Sequence, residues 1–145
     1  MDIVIKKIVY GTPDYETSIF IRNEVFRKPH GLDIKDDDLS SDKVVEMFGA
    51  YLDDKMIATI FLDIVDGNTV KIRNVAILEE YRGKGLGKYL MGYVEDIARQ
   101  RGYTKSILMG RVSAEKFYNK LGYKTLSEPY DYKTVPHVDM EKNLY

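Results

Sequence analysis

Three glycines and three cations are interspersed through Arg82-Gly83-Lys84-Gly85-Leu86-Gly87-Lys88. The apolar run NVAIL precedes this segment and the amphipathic run YLMGYVEDIARQ follows it. A strand entering a glycine-rich turn and then a helix makes an anion site. The first helical N–H groups lack internal partners, and the helix dipole favours negative charge there. Glycine allows close approach to the backbone and permits positive φ. Arg82, Lys84 and Lys88 supply flanking positive charge. The two common nucleotide patterns do not fit. A P-loop needs G-x-x-x-x-G-K-[ST], but Gly87-Lys88 is followed by Tyr89, and Arg82 stands where the first glycine belongs. A dinucleotide fingerprint would need glycine at Lys88 and a strand–helix–strand unit opening the chain.

What the segment does match is R-x-x-G-x-G, through Arg82, Gly85 and Gly87. The stretch VAILEEYRGKGLGKYLM resembles the acyl-CoA-binding motif of the GNAT superfamily of N-acetyltransferases. SAEKFYNKLGY resembles that family's A-x-x-F-Y-x-K-x-G-F/Y segment, through Ala114, Phe117, Tyr118, Lys120, Gly122 and Tyr123. TVPHVDMEKNL resembles the I-P-H-x-x-M-x-K-x-L ending of one bacterial group, and IRNEVFRKPHGL resembles that group's L-R-x-x-V-L-R-x-P-x-G-L. These stretches touch nearly the whole chain in the family's order.

The resemblance implies transfer of acetyl, or another short acyl group, from acetyl-CoA to an amine. The amides of Arg82, Gly83, Lys84, Gly85, Leu86, Gly87 and Lys88 would hold the coenzyme pyrophosphate. Backbone N–H groups near Val75 and Ile77 would stabilise the developing oxyanion, one good donor contributing roughly 3 kcal/mol. Tyr118 stands where the family keeps its tyrosine general acid; a phenol is protonated at neutral pH and can supply a departing thiolate. An attacking amine must be neutral, so a base or a water chain is expected. His137 is the first candidate and Glu79 the second, with a hydrogen-bonded structural histidine and a solvated turn acid as the alternatives. Arg111 stands where many members carry an asparagine that contacts the pantetheine arm, and a cation there could instead reach a cofactor phosphate. Arg22, Arg27 and His30 lie in the segment that, by resemblance, flanks the acceptor cleft, where they could bind a carboxylate or phosphate. The acids Asp33, Asp36, Asp37, Asp38 and Asp42 are read as a solvated loop, with attraction of a polyamine as the alternative. A domain that senses acyl-CoA without turning it over is the alternative function.

Composition narrows the rest. A chain of 145 residues suits one domain, taken here as 1–145. It has no cysteine, which removes disulfides, thiolate metal sites and a cysteine nucleophile, and leaves direct attack in a ternary complex as the economical route. His30 and His137 lack metal-ligand spacing, so no metal is expected. The net charge of −1 gives no reason to expect nucleic acid or an anionic membrane. The opening MDIVIKKIVYG carries an acid where a signal peptide would carry positive charge, so the expected location is cytoplasmic. The expected partner is a small-molecule or protein amine; a homodimer is left open.

The elements that must position these residues follow from local signals. Residues 2 to 10 read as a strand. Thr12-Pro13-Asp14 starts a helix that runs to about Phe26. Three strands follow as an antiparallel meander, turning at Asp53-Asp54 and at Asp66-Gly67-Asn68. In the third, Val70 and Ile72 alternate in one phase and Val75 and Ile77 in the other. That implies either a bulge near Arg73 and Asn74 or a strand covered on both faces. A helix from Leu86 ends at Gly102, and KSILM is a strand. Ser113 caps a last helix that ends at Gly122, and the tail forms two strands. The fold class is α/β (α+β): a GNAT-type mixed, mostly antiparallel central sheet with helices on both faces.

Overall fold

Thr12 opens the first helix as its sequence requires. In the computed structural model, which describes residues 2–145, its extended backbone precedes α1 (Pro13–Phe26) and its hydroxyl accepts the Tyr15 N–H at 3.3 Å. The remaining elements are β1 (Val4–Ile8), β2 (Glu46–Leu52), β3 (Lys55–Ile64), β4 (Thr69–Ile77), α2 (Leu86–Gln100), β5 (Lys105–Arg111), α3 (Glu115–Lys120), β6 (Lys124–Thr125), β7 (Tyr130–Tyr132) and β8 (Val135–Asn143). The strands hydrogen-bond in the order β1-β2-β3-β4-β5-β8-β6, with β7 on β8. This is the mixed, mostly antiparallel α/β sheet that the sequence implies. The chain falls into two compact units. One is the chain up to Leu62 with Asn74–Gly92; the other is Asp63–Arg73 with Tyr93–Tyr145.

In the first unit, β1 pairs antiparallel with β2, and β2 with β3. Asp53 and Asp54 both take left-handed φ, +50° and +64°, the two-residue turn whose twist matches a hairpin. The register of β2 on β3 shifts between Ala50 and Tyr51, an irregularity the sequence did not signal. Ile8, Ile21, Val25, Met47, Phe61 and Ala76 share one buried cluster. In the second unit, the start of β4 runs parallel to β5, with Lys71 opposite Ile107, and β5 runs antiparallel to β8, with Arg111 opposite His137.

Four expectations need correction. Ser113 does not cap α3: residues Val112–Ala114 form a 3-10 turn, so the chain is already helical and Ala114 occupies the cap position. The tail holds three strands, because Lys133 and Thr134 both adopt left-handed φ and fold β7 back on β8. In β4, Asn74 takes φ +54°, an irregularity where one was expected, yet Val75 and Ile77 stay half-exposed and Ala76 joins the core. No residue of that strand is fully exposed, so alternation in its sequence carried little phase information. Lastly, the acidic segment is not merely solvated. Asp42 is buried and Asp37 largely covered, each paired with an arginine described below.

Candidate active site

β4 ends at Ile77 and passes through a 3-10 turn, Glu79–Tyr81, into the glycine loop. Gly83 and Gly85 have φ of +75° and +81°, which only glycine adopts without strain. A Cβ added at either would meet nothing within 4 Å, so the backbone here presents an open face. The first intrahelical bond of α2 runs from the Tyr89 N–H to the Gly85 carbonyl at 3.1 Å. The amides of Leu86, Gly87 and Lys88 precede it and lie at the positive end of the helix dipole. Lys84 and Lys88 are exposed. Arg82 is exposed too, but its Nε donates to the Ile77 carbonyl at 2.9 Å, which ties the loop to the end of β4. A groove of about 430 Å3 opens beside the loop, lined by Asp2, Ile3, Val4, Lys84, Gly85, Leu86 and Tyr89. The loop therefore combines bare amides, cations and room, which is what a pyrophosphate requires.

Within the same unit, the Thr59 hydroxyl donates to the Asn74 carbonyl at 2.8 Å and holds the left-handed turn of the strand just before Val75. Glu79 is exposed in the turn that leads to the loop. The acceptor-side cations are less available than the sequence suggested. Arg22 is 4% exposed; its Nη1 lies 2.9 Å from Asp42, and its guanidinium stacks 4.9 Å from the Phe61 ring centre. The Tyr15 hydroxyl donates to the same Asp42 oxygen at 2.7 Å. Arg27 pairs with Asp37 at 2.8 Å. His30 is exposed on the turn after α1. Two residues read as acceptor cations and two read as loop acids thus neutralise one another.

In the second unit, Tyr118 lies on α3 and is 9% exposed. Burial pushes its phenol up to about 12, while the nearby Arg111 charge pulls the other way. The ring packs edge-on against Phe117 and Tyr123, at 5.0 and 6.0 Å between centres. Beneath it lies Gly110 of β5, where an added Cβ would come within 3.2 Å of the Tyr118 ring. His137 is as buried as Tyr118, and its Nδ1 lies 2.7 Å from the Val135 carbonyl. That contact places the proton of a neutral ring on Nδ1 and the basic lone pair on Nε2. The Tyr132 ring stands perpendicular to the imidazole at 5.7 Å. Arg111, Tyr118 and His137 thus belong to one unit, where β5 and β8 pair Arg111 with His137.

Sequence reasoning missed Gly110, although a glycine inside the strand segment KSILMGR signals close approach of a neighbour. It also missed Glu95, a carboxylate on the apolar face of α2 with 3% exposure, whose signal was an acid interrupting a buried stripe.

Known proteins with the same architecture bear on these observations. The model of the acetyltransferase (GNAT) family matches residues 14–123. A protein of Bacillus subtilis (strain 168) named as an acetyltransferase is 36% identical over 143 residues, 95% of each chain. A Lactobacillus plantarum protein crystallised under the description of an N-acetyltransferase superposes with a TM-score of 0.82 at 28% identity, covering 98% of this chain and 99% of that one. A GNAT family acetyltransferase from Elizabethkingia anophelis, crystallised with acetyl-CoA bound, gives a TM-score of 0.71 over 97% of both chains; at 21% identity that likeness speaks to the fold alone. With the family's pattern matched across most of its length and a relative this similar from end to end, the chain belongs to the acetyltransferase (GNAT) family.

Proposed function

We propose that this acetyltransferase moves an acetyl group from acetyl-CoA to an amine by direct attack in a ternary complex, with residues 1–145 serving as one catalytic domain. The observation that carries the reading is the loop before α2: two left-handed glycines with open faces, followed by the start of a helix and flanked by cations. When bound, the coenzyme supplies the acetyl group as an activated thioester. The amides from Arg82 to Lys88 grip its pyrophosphate. The groove beside Tyr89 gives room for more of the molecule.

The chain's own residues have three tasks. The N–H groups of Val75 and Ile77, next to the irregularity at Asn74, donate to the carbonyl oxygen as charge develops on it. Tyr118 holds its proton at Oη throughout the neutral range and delivers it to the departing sulfur. An acid near 12 is weak for a thiolate of pKa about 8.5 in water, but dry surroundings also raise the basicity of a nascent thiolate. His137 Nε2 takes the proton of the attacking amine, with Glu79 as the second candidate. Arg111 adds positive charge beside Tyr118, and its proposed role is to favour anionic groups of the coenzyme. Arg22 and Arg27, held by Asp42 and Asp37, shape the acceptor side, and the exposed His30 is the residue there offered to an acceptor.

The acceptor is a small-molecule or protein amine, and nucleic acid is not a partner. Among the described residues no helix is long and apolar enough to cross a membrane. A cytoplasmic location without a membrane partner is part of the proposal. Homodimerisation is tested by sedimentation. The direct test of function is thiol release from acetyl-CoA across a panel of small amines and peptides, with coenzyme A binding measured by calorimetry. Release with at least one amine is expected. Tight binding with release on none would replace catalysis by sensing, and absence of binding would remove the loop assignment.

A further inference from the structure

Tyr123 is tied to three elements of its own unit. Its hydroxyl lies 2.9 Å from Glu95 of α2 and 2.7 Å from the Ser106 hydroxyl of β5. An ionised carboxylate only accepts, so the phenol donates to Glu95 and Ser106 donates to the phenol. Glu95 in turn accepts from Lys142 of β8 at 2.7 Å. Glu95, Ser106 and Tyr123 are all buried, with 3%, 0% and 2% exposure. Such a network is rigid only while every member is satisfied.

The other end of Tyr123 holds Tyr118. The Tyr123 N–H donates to the Tyr118 carbonyl at 3.0 Å, and the Asn119 side chain donates to the Tyr123 carbonyl at 2.9 Å. The two rings meet edge to face at 6.0 Å and 73°. On the strand side, Gly110 lets the Tyr118 ring lie so close to β5 that an added Cβ would come within 3.2 Å of it. A ring fixed at its phenol end by α2 and β5 therefore forms one wall of the slot in which Tyr118 stands.

We infer that Tyr123 and Glu95 are positioning residues for Tyr118: their hydrogen bond fixes the direction of the Tyr118 phenol, beyond contributing to stability. This inference rests on the reading of Tyr118 as the general acid. Misplacing a reacting group by about 1 Å lowers rate by as much as 10²-fold, so a partial loosening should lower turnover roughly tenfold.

The test is a double-mutant cycle on thiol release from acetyl-CoA, with hydroxylamine and with the fastest amine of the panel. Tyr123→Phe keeps the ring and should fold, because Glu95 retains Lys142. It is expected to lower kcat about tenfold, leave KM for acetyl-CoA unchanged, and add nothing when placed in Tyr118→Phe. Glu95→Gln keeps an oxygen for the Tyr123 phenol and should recover most of the turnover lost in Glu95→Ala. A second readout needs no acceptor: a fluorine label on the Tyr118 ring, as 3-fluorotyrosine, should broaden or split in Tyr123→Phe. An equal loss from Tyr123→Phe in both backgrounds, or no loss with an unchanged fluorine line, overturns the inference and leaves the acid assignment standing. A silent Tyr118→Phe overturns the acid assignment, and the inference falls with it.

Discussion

Gly85 and Gly110 stand in the two regions assigned to chemistry, and they are glycines for opposite reasons. At Gly85 the backbone is left-handed, φ +81°, and the space around it is empty. At Gly110 the chain is in a regular strand, and an added Cβ would meet the Tyr118 ring, Leu108 and Met140 at 3.2 to 3.3 Å. The loop works through exposed main chain, so what matters there is conformation and vacancy. The surroundings of Tyr118 work through side chains, so what matters is fit. A site that grips a polyanion can be built from amides pointing at solvent. A site that must keep a phenol protonated and aimed needs burial and neighbours on each side.

Substitutions can break this contrast. Gly85→Asp should have the largest effect, reducing coenzyme A affinity at least 100-fold by calorimetry. It places a carboxylate at the pyrophosphate position, while the fold pays only the modest strain of a left-handed residue, about 1–2 kcal/mol. Affinity within threefold of the parent in a folded variant would refute the loop assignment. Tyr118→Phe should lower kcat about 10²-fold with coenzyme affinity unchanged, the ordinary range for loss of a general acid. Unchanged kcat, with chemistry shown to be rate-limiting, ends that role.

Alanine scanning of the two glycines sharpens the contrast. Gly110→Ala should lower kcat about tenfold and destabilise the protein by about 1–3 kcal/mol through overpacking. Gly85→Ala should weaken coenzyme binding while leaving turnover at saturation near the parent value. If both variants behave alike in kcat and in affinity, the two regions do not divide the work as described.

The smallest effect is on alkaline stability. The unfolded chain releases the Tyr118 proton near pH 10, whereas burial holds it in the folded state to about 12. Between these values the folded form binds more protons, so stability is fully present below pH 10 and falls as pH rises toward 12. Burial raises the Tyr123 phenol as well, with the Glu95 charge adding to the shift, so its contribution has the same sign. Denaturant titrations from pH 9 to 11.5 should show a shallower decline in Tyr118→Phe than in the parent. Equal slopes would remove the buried phenol as the cause. For the same reason, Tyr118 should impose no fall in kcat below about pH 11.

Local chemistry made much of the fold legible. Thr12 and Pro13 start α1, the paired aspartates at 53 and 54 make a hairpin turn, and Asp66 accepts the N–H groups of Asn68 and Thr69. The errors arose where an equivalent signal was absent or pre-empted. Lys133 and Thr134 bend left-handed without glycine or asparagine, so β7 was not visible. Ser113 has the residue type of a cap, but it lies inside the 3-10 turn Val112–Ala114, so Ala114 takes the cap position of α3.

Sequence alone determined the glycine loop, the Thr12 cap, the turn at Asp53-Asp54 and the succession of strands and helices as far as α3, because these depend on the backbone preferences of adjacent residues. Tertiary structure decided which charges remain available and how Tyr118 holds its proton. Arg22 meets Asp42 twenty residues away, Tyr123 meets Glu95 across 28, and Glu95 meets Lys142 across 47. Desolvation and Coulomb attraction act through space, so the state of an ionisable side chain follows from its neighbours in the fold rather than from its neighbours along the chain.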